Sequence, residues 1–158
     1  MSVLDKLASR QGVKSDVPNQ ELARELVLNN FTDGINEIAE NLSYNEKAVQ
    51  SDCVKVLYEI GCLNPELIAK YVNDFIKLLN SRNNRLVWGG MIALSTISDI
   101  RAREIFDSRD IIKKTIEEGS IITVDAGIKT LSKVAASEEH FNKTLFPYLV
   151  NSLRNCRP

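Results

Sequence analysis

Apolar residues recur at helical spacing along nearly the whole chain, whereas runs that alternate apolar and polar residues are almost absent. This pattern predicts an all-α protein, because one face of a helix returns to the core about every three or four residues. Short polar segments separate the predicted helices. The predicted helices are 2–10, 19–30, 31–42, 46–61, 65–80, 85–99, 108–118, 121–136 and 138–154.

The apolar pattern repeats along the chain at an interval of 37 residues, which separates Leu57, Leu94 and Leu131 in three of the predicted helices. Amphipathic helices of similar length can align by chance, but here one shift aligns both helices of each pair. A repeated pair of helices is the simpler interpretation. Other columns with this spacing are Val54, Met91 and Ile128; Ile60, Ile97 and Val134; Phe31, Ile68 and Ile105; Ile38, Phe75, Ile112 and Leu149; Leu42, Leu79, Ile116 and Leu153.

The middle repeat resembles a HEAT unit. Residues 71–79 resemble the apolar first helix of such a unit, and residues 80–84 resemble its polar turn. Residues 85–94 resemble the second helix, which is entered through an arginine and small residues. The resemblance implies a right-handed α-α superhelix, a solenoid of about three helical-hairpin repeats with extra helices at both ends.

The other repeats match the HEAT pattern less well. Lys47 and Ile121 stand near the place that Arg85 takes in the middle repeat, and the turn at 118–120 lacks the usual Asp or Asn. The whole chain, 1–158, is still predicted to form one repeat domain. Its predicted parts are cap helices in 1–30, repeats at 31–61, 65–100 and 108–136, and a helix at 138–154 that either ends the domain or begins a further repeat.

The predicted helix 138–154 has a wide apolar stripe, although the end of a repeat stack should be more polar. We expect either a following segment or a second copy of the chain, in a homodimer through this helix, to cover it. Pro147 would kink the helix unless the helix begins near Phe146. The stripe consists of Phe141, Leu145, Phe146, Leu149, Val150 and Leu153.

The second helices of HEAT units line the concave face, where partners commonly bind, so the resemblance implies a site on their outward residues. The predicted partner-binding residues are Ser51, Lys55 and Tyr58; Trp88, Ile92 and Ser95; and Asp125, Lys129 and Ser132. An aromatic pair flanked by charged side chains suits a hot spot for a protein partner. The alternative is that Trp88 and Ile92 simply pack against neighbouring helices.

Two adjacent glycines, Gly89 and Gly90, lie inside a predicted helix, where they reduce helix propensity. Close packing of two helices would explain them, and Gly127 recurs one repeat after Gly90. A ligand that approaches the backbone beside Trp88 is the alternative explanation.

Composition favours a protein partner. The 20 basic and 21 acidic side chains give a net charge of -1, without a long basic run for nucleic acid or anionic lipid. No apolar run is long enough to span a membrane, and the N-terminus lacks the apolar core of a secretory signal. We therefore expect no membrane association and a cytoplasmic location.

The sequence contains no recognisable catalytic motif, so we expect neither enzymatic activity nor a cofactor. Three cysteines, Cys53, Cys62 and Cys156, and one histidine, His140, make a disulfide framework or a zinc site improbable. His140 lies in a polar segment and is predicted to be a solvated residue in the first turn of a helix.

Two alternatives to a protein-binding scaffold stay open. DNA alkylation-repair glycosylases are similar helical-repeat proteins that use concave-face Trp and Asp residues, as Trp88 and Asp125 would be here. DNA binding would require several cations on that face, and acidic residues dilute those present. The second alternative is an accessory subunit or chaperone-like partner of an enzyme, as bilin lyases and related factors illustrate by resemblance.

Overall fold

The structure is a computed structural model that describes residues 2–155. Within this range the chain forms α-helices joined by turns and short 3-10 helices, without a β-strand, which confirms the all-α prediction. None of these helices is both long enough and apolar enough to cross a membrane. The helices are α1 (Val17–Leu28), α2 (Thr32–Glu40), α3 (Lys47–Leu63), α4 (Val72–Leu78), α5 (Asn84–Ile97), α6 (Ala102–Asp107), α7 (Arg109–Glu118), α8 (Ile121–Ser137) and α9 (Glu139–Arg154).

Four helices, α1, α3, α5 and α8, form a central row in which each helix contacts the next one along the chain. Three other helices cover this row: α2 packs against α3, α4 against α5, and α7 against α8. The last helix, α9, packs against α8. Each helix therefore buries its apolar face mainly against helices that are close to it in the sequence.

Equivalent positions of the repeat are buried alike in the central row. Leu57, Leu94 and Leu131 are all fully buried, one in each of α3, α5 and α8. The first helices behave in the same way, since Ile38 of α2, Phe75 of α4 and Ile112 of α7 are also fully buried. The equivalent apolar positions therefore contribute to one continuous core between the helices.

Two of the apolar columns contain a terminal residue that is exposed instead of buried. Phe31, at the start of the first column, is 46% exposed, although Ile68 and Ile105 of the same column are fully buried. Leu153, at the end of another column, is 76% exposed, whereas Leu79 is buried. The shared burial of these columns is therefore lost at Phe31 and at Leu153.

Two predicted helices are only partly helical. Residues 2–10 contain a single 3-10 helix, Val3–Lys6, which ends where Leu7 takes an extended conformation. Residues 65–80 form two 3-10 helices, Pro65–Leu67 and Ala69–Tyr71, before α4 begins. Both breaks coincide with a fully buried side chain, Leu7 in the first case and Ile68 in the second. Burial of these residues outweighs the local preference for a continuous helix.

One short helix, α6, was not predicted. It has only 6 residues, too few for the apolar periodicity to be recognisable. Its Phe106 ring stacks on Phe141 of α9, with ring centroids 4.3 Å apart, and the Arg109 guanidinium lies 4.3 Å from the Phe106 centroid. Tertiary packing thus fixes α6 between α4 and α8, both of which it contacts.

The helix α9 begins at Glu139 and continues through Pro147, so it does not begin near Phe146. Its predicted apolar stripe is divided between core and solvent. Phe141 and Leu145 are buried against the rest of the protein, and Leu149 packs partly against the core. Phe146 is 57% exposed. The outer part of the stripe is therefore uncovered within residues 2–155.

Carboxylates hold the N-terminal segment against the first repeat. One oxygen of Asp52 accepts a hydrogen bond from the Ser9 amide and the other accepts one from the Asn19 side chain, both at 2.8 Å. The Asn19 side chain, which is fully buried, accepts a bond from the Ala8 amide at 2.9 Å. Glu37 of α2 similarly accepts a bond from the Val3 amide at 2.7 Å.

Glycines let helices of the central row pack closely against each other and against the covering helices. A Cβ atom on Gly90 would lie 2.9 Å from the Leu78 Cβ and 3.1 Å from the Phe75 carbonyl oxygen, and one on Gly89 would lie 2.8 Å from Val54. Gly127 of α8 is similarly close to Ile116 of α7. These contacts support close helix packing, and not ligand access, as the reason for the glycine pair.

We expect Asp52→Ala to lower the free energy of unfolding by about 2 kcal/mol or more, because it leaves the Ser9 amide and the Asn19 side chain without their acceptor. Urea denaturation measures the change. Asp99→Ala is the matched control, since Asp99 is exposed and forms no ion pair or side-chain hydrogen bond within residues 2–155. Equal stability of the two variants would contradict this role of Asp52.

We expect Gly90→Ala to destabilise the protein by about 1 kcal/mol or more, although alanine favours a helix, because the added methyl overlaps Leu78 and the Phe75 carbonyl. Ser132→Ala, at an exposed position of α8, is the control and should leave stability unchanged or slightly raised. Thermal and urea unfolding give both values. If Gly90→Ala is more stable than the wild type, helix propensity and not close packing determines the effect of this substitution on stability.

Candidate functional site

The predicted partner-binding residues lie on α3, α5 and α8, three adjacent helices of the central row. Seven of the nine have exposed or partly exposed side chains, and the other two are buried. Tyr58 is only 9% exposed and Ser95 only 8%, which differs from their expected outward position. The seven others are Ser51, Lys55, Trp88, Ile92, Asp125, Lys129 and Ser132.

An aromatic pair joins α3 to α5. The ring centroids of Tyr58 and Trp88 are 6.3 Å apart, with the ring planes tilted by 53°. Trp88 is only partly buried and, like Ile92, packs against the edge of the core. Tyr58 supports Trp88 from the side of α3, so a partly exposed indole is held on a rigid surface. The packing interpretation thus accounts for one part of the Trp88 ring, and the other part is exposed to solvent.

Burial and neighbouring charges both affect the pKa values of Tyr58 and Lys55. The Lys55 ammonium lies 4.8 Å from the Tyr58 ring centroid and 2.6 Å from a Glu59 carboxylate oxygen. Burial of the hydroxyl raises the pKa of Tyr58. Burial disfavours the charged form of Lys55, but its hydrogen bonds to Glu59 and Tyr58 outweigh that effect and raise its pKa. Both side chains therefore keep their protons at neutral pH.

The part of the site on α8 is polar and more open. Asp125 and Lys129 are exposed, and their charged atoms are 3.9 Å apart, which makes a weak surface ion pair. The Lys133 ammonium donates a hydrogen bond to the Ser95 carbonyl oxygen at 2.9 Å and so links α8 to α5. The Ser95 hydroxyl donates a hydrogen bond to the Ile92 carbonyl oxygen, so this polar group has a partner although it is buried.

The structure contains a cleft that the sequence reasoning missed, at the amino ends of α3 and α5. Its larger part, of about 390 Å³, lies between the N-terminal segment and the first turns of α3 and α5. A smaller part, of about 50 Å³, continues toward Tyr58 and Trp88. The two parts share Asp16, Ser51, Asp52 and Arg85. We call this the edge cleft.

Residues from three separate segments form the edge cleft. Lys14 comes from the N-terminal segment, Lys47 from the start of α3 and Arg85 from the start of α5. The HEAT resemblance offered one signal, because Lys47 and Arg85 occupy similar places in successive repeats. Lys14 carried no such signal, since its position depends on how Asp52 holds the N-terminal segment.

Neither Cys53 nor His140 forms a reactive centre with its neighbours. Cys53 is fully buried, and its pKa is raised to about 12, mainly by burial and also by the negative charge of Asp52 and Glu37. His140 is exposed in the first turn of α9, beside Phe106 and Phe141. No group of three or more potential metal ligands occurs within residues 2–155. Cys156 lies outside the described residues.

No known family model matches the sequence, and no curated protein is significantly similar to it. Among solved structures, the chain is similar to an engineered protein, a target of the Northeast Structural Genomics Consortium. The TM-score is 0.68 at 19% sequence identity, and the match covers 93% of this chain and 68% of the engineered chain. At this level of identity the match concerns the fold alone.

We expect the two cysteines to differ in reactivity toward a thiol reagent at mildly alkaline pH. Burial raises the pKa of both thiols, that of Cys53 to about 12, but Cys62 is exposed to the reagent whereas Cys53 is buried in the core. A Cys62→Ser, Cys156→Ser variant should therefore stay unlabelled until urea unfolds it. A Cys53→Ser, Cys156→Ser variant should be labelled in the native state. Rapid labelling of native Cys53 would contradict its placement in the core.

Proposed function

We propose that this chain is a HEAT-like helical repeat protein that binds a segment of another protein on the exposed face of α3, α5 and α8. The superhelical arrangement belongs to the proposal. It is supported by the central row, in which successive second helices pack side by side in chain order. It is further supported by the equal burial of Leu57, Leu94 and Leu131.

The observation that carries the proposal is the partly exposed apolar surface of Trp88 and Ile92 on the middle helix of this face. Charged side chains flank it, Lys55 on one neighbouring helix and Lys129 on the other. A rigid aromatic side chain surrounded by polar groups is typical of a binding hot spot, because it supplies contact area at little cost in conformational entropy. The partner that fits this surface is an extended or helical segment with at least one large apolar side chain.

The test is the selection of peptides from a random display library on the immobilised protein. We expect peptides with a large apolar residue to be enriched on the wild-type protein. The double variant Trp88→Ala, Ile92→Ala should bind these peptides about ten-fold or more weakly, since truncation of a hot-spot side chain often costs about 2 kcal/mol of binding free energy. Leu28→Ala is the control, because Leu28 is 86% exposed on α1 and away from the proposed site.

Folding of the double variant is checked by circular dichroism and thermal unfolding. Because both side chains also pack against the core, a second variant, Lys129→Glu, probes the same face without touching the core, as the Lys129 side chain is 65% exposed. We expect it to change the affinity for the selected peptides. The proposal fails if no peptide is enriched, or if the selected peptides bind both variants as tightly as they bind the wild type.

A further inference from the structure

The edge cleft contains three cations that form no ion pair with the carboxylates of residues 2–155. Lys14, Lys47 and Arg85 line its larger part. Among residues 2–155, ion pairs join other cations to carboxylates, but none involves these three side chains. All three are exposed to solvent. Each can therefore interact with an anion from outside the chain without first breaking an internal ion pair.

The two carboxylates in the cleft only partly offset this positive charge. Asp52 uses both oxygens to hold the Ser9 amide and the Asn19 side chain. Asp16 is exposed and forms no side-chain hydrogen bond at the start of α1. The lining of the larger part therefore carries three cations against two carboxylates, and Asp16 is the carboxylate that is more exposed to an approaching anion, since Asp52 is partly buried.

The basic part of the cleft continues into the aromatic surface. Arg85 lines both parts, and the smaller part is also lined by Tyr58 and Trp88. Lys47 and Ala48 of the first turn of α3 line the larger part. A ligand that follows the cleft from Lys14 to Trp88 therefore meets positive charge first and an aromatic ring afterwards.

We infer that the edge cleft binds an acidic, extended segment of a partner protein, with its carboxylates near Lys14, Lys47 and Arg85 and an apolar side chain against Trp88. This inference deepens the proposed function and rests on it, because it names the chemistry of the partner at the same face. A protein segment fits better than a nucleic acid. The three cations form one small cluster beside Asp16, whereas a phosphate backbone requires a longer series of basic contacts.

The probe is a fluorescein-labelled peptide that alternates glutamate with leucine, compared with the same peptide in which glutamine replaces glutamate. Fluorescence anisotropy measures both affinities for the full chain. We expect the acidic peptide to bind about ten-fold more tightly. Its affinity should decline as salt is added, since salt screens exposed charges, whereas the glutamine peptide should be nearly insensitive to salt.

Charge variants locate the binding. Replacing the three cations together (Lys14→Gln, Lys47→Gln, Arg85→Gln) should reduce affinity for the acidic peptide about ten-fold. The matched control replaces three other exposed cations that form no ion pair in the described part of the chain, and it should leave the affinity unchanged. Asp16→Asn should raise the affinity about two- to five-fold, because it removes the repelling carboxylate without removing a helix cap. The control substitutions are Lys70→Gln, Lys77→Gln and Arg103→Gln.

Equal affinity for the two peptides, or equal losses in the cleft variant and its control, would overturn the inference. Tighter binding of a labelled single-stranded oligonucleotide than of the acidic peptide would overturn it in favour of a nucleic-acid partner. The experiments distinguish failure of this inference from failure of the proposed function. If the display library yields neutral peptides that depend on Trp88 and bind the cleft variant normally, protein binding stands and the acidic partner is excluded.

Discussion

Burial of apolar side chains between successive helices is the constraint on which the structure depends. A pair such as α4 and α5 is too small to cover its own apolar faces, so each face must be covered by the next pair. The core is consequently continuous along the central row, with Leu57, Leu94 and Leu131 in equivalent places. The close contact at Gly90, where a methyl group would already be too large, shows how tightly the layers pack.

The same constraint determines the surface that is available for binding. When helices of one row repeat at a constant interval, their outward positions also repeat, and side chains far apart in sequence become neighbours. Trp88 of α5 meets Tyr58 of α3 in this way. Lys133 of α8 reaches the Ser95 carbonyl of α5 by the same arrangement. The candidate site is thus a consequence of the packing of the row and needs no loop or added domain to form it.

The repeated columns could be predicted from the sequence because burial on a helix leaves a periodic record. Features determined by tertiary contacts left no such record. The break before α4 depends on the burial of Ile68, and α6 depends on the stacking of Phe106 on Phe141. Among the site residues, Trp88 is partly exposed, and its role in binding stays a prediction. The exposure of Tyr58 was predicted wrongly, because helical periodicity does not reveal that Trp88 covers it.

The edge cleft has more cations than carboxylates, although the net charge of the whole sequence is -1. Asp52 accepts hydrogen bonds from the Ser9 amide and the Asn19 side chain, and these bonds hold the N-terminal segment against α3. The same hydrogen bonds place the N-terminal segment, and with it Lys14, beside the ends of α3 and α5. One hydrogen-bond network therefore both holds the N-terminal segment and brings Lys14 to the other two cations of the cleft, so stability and the proposed binding site depend on the same carboxylate.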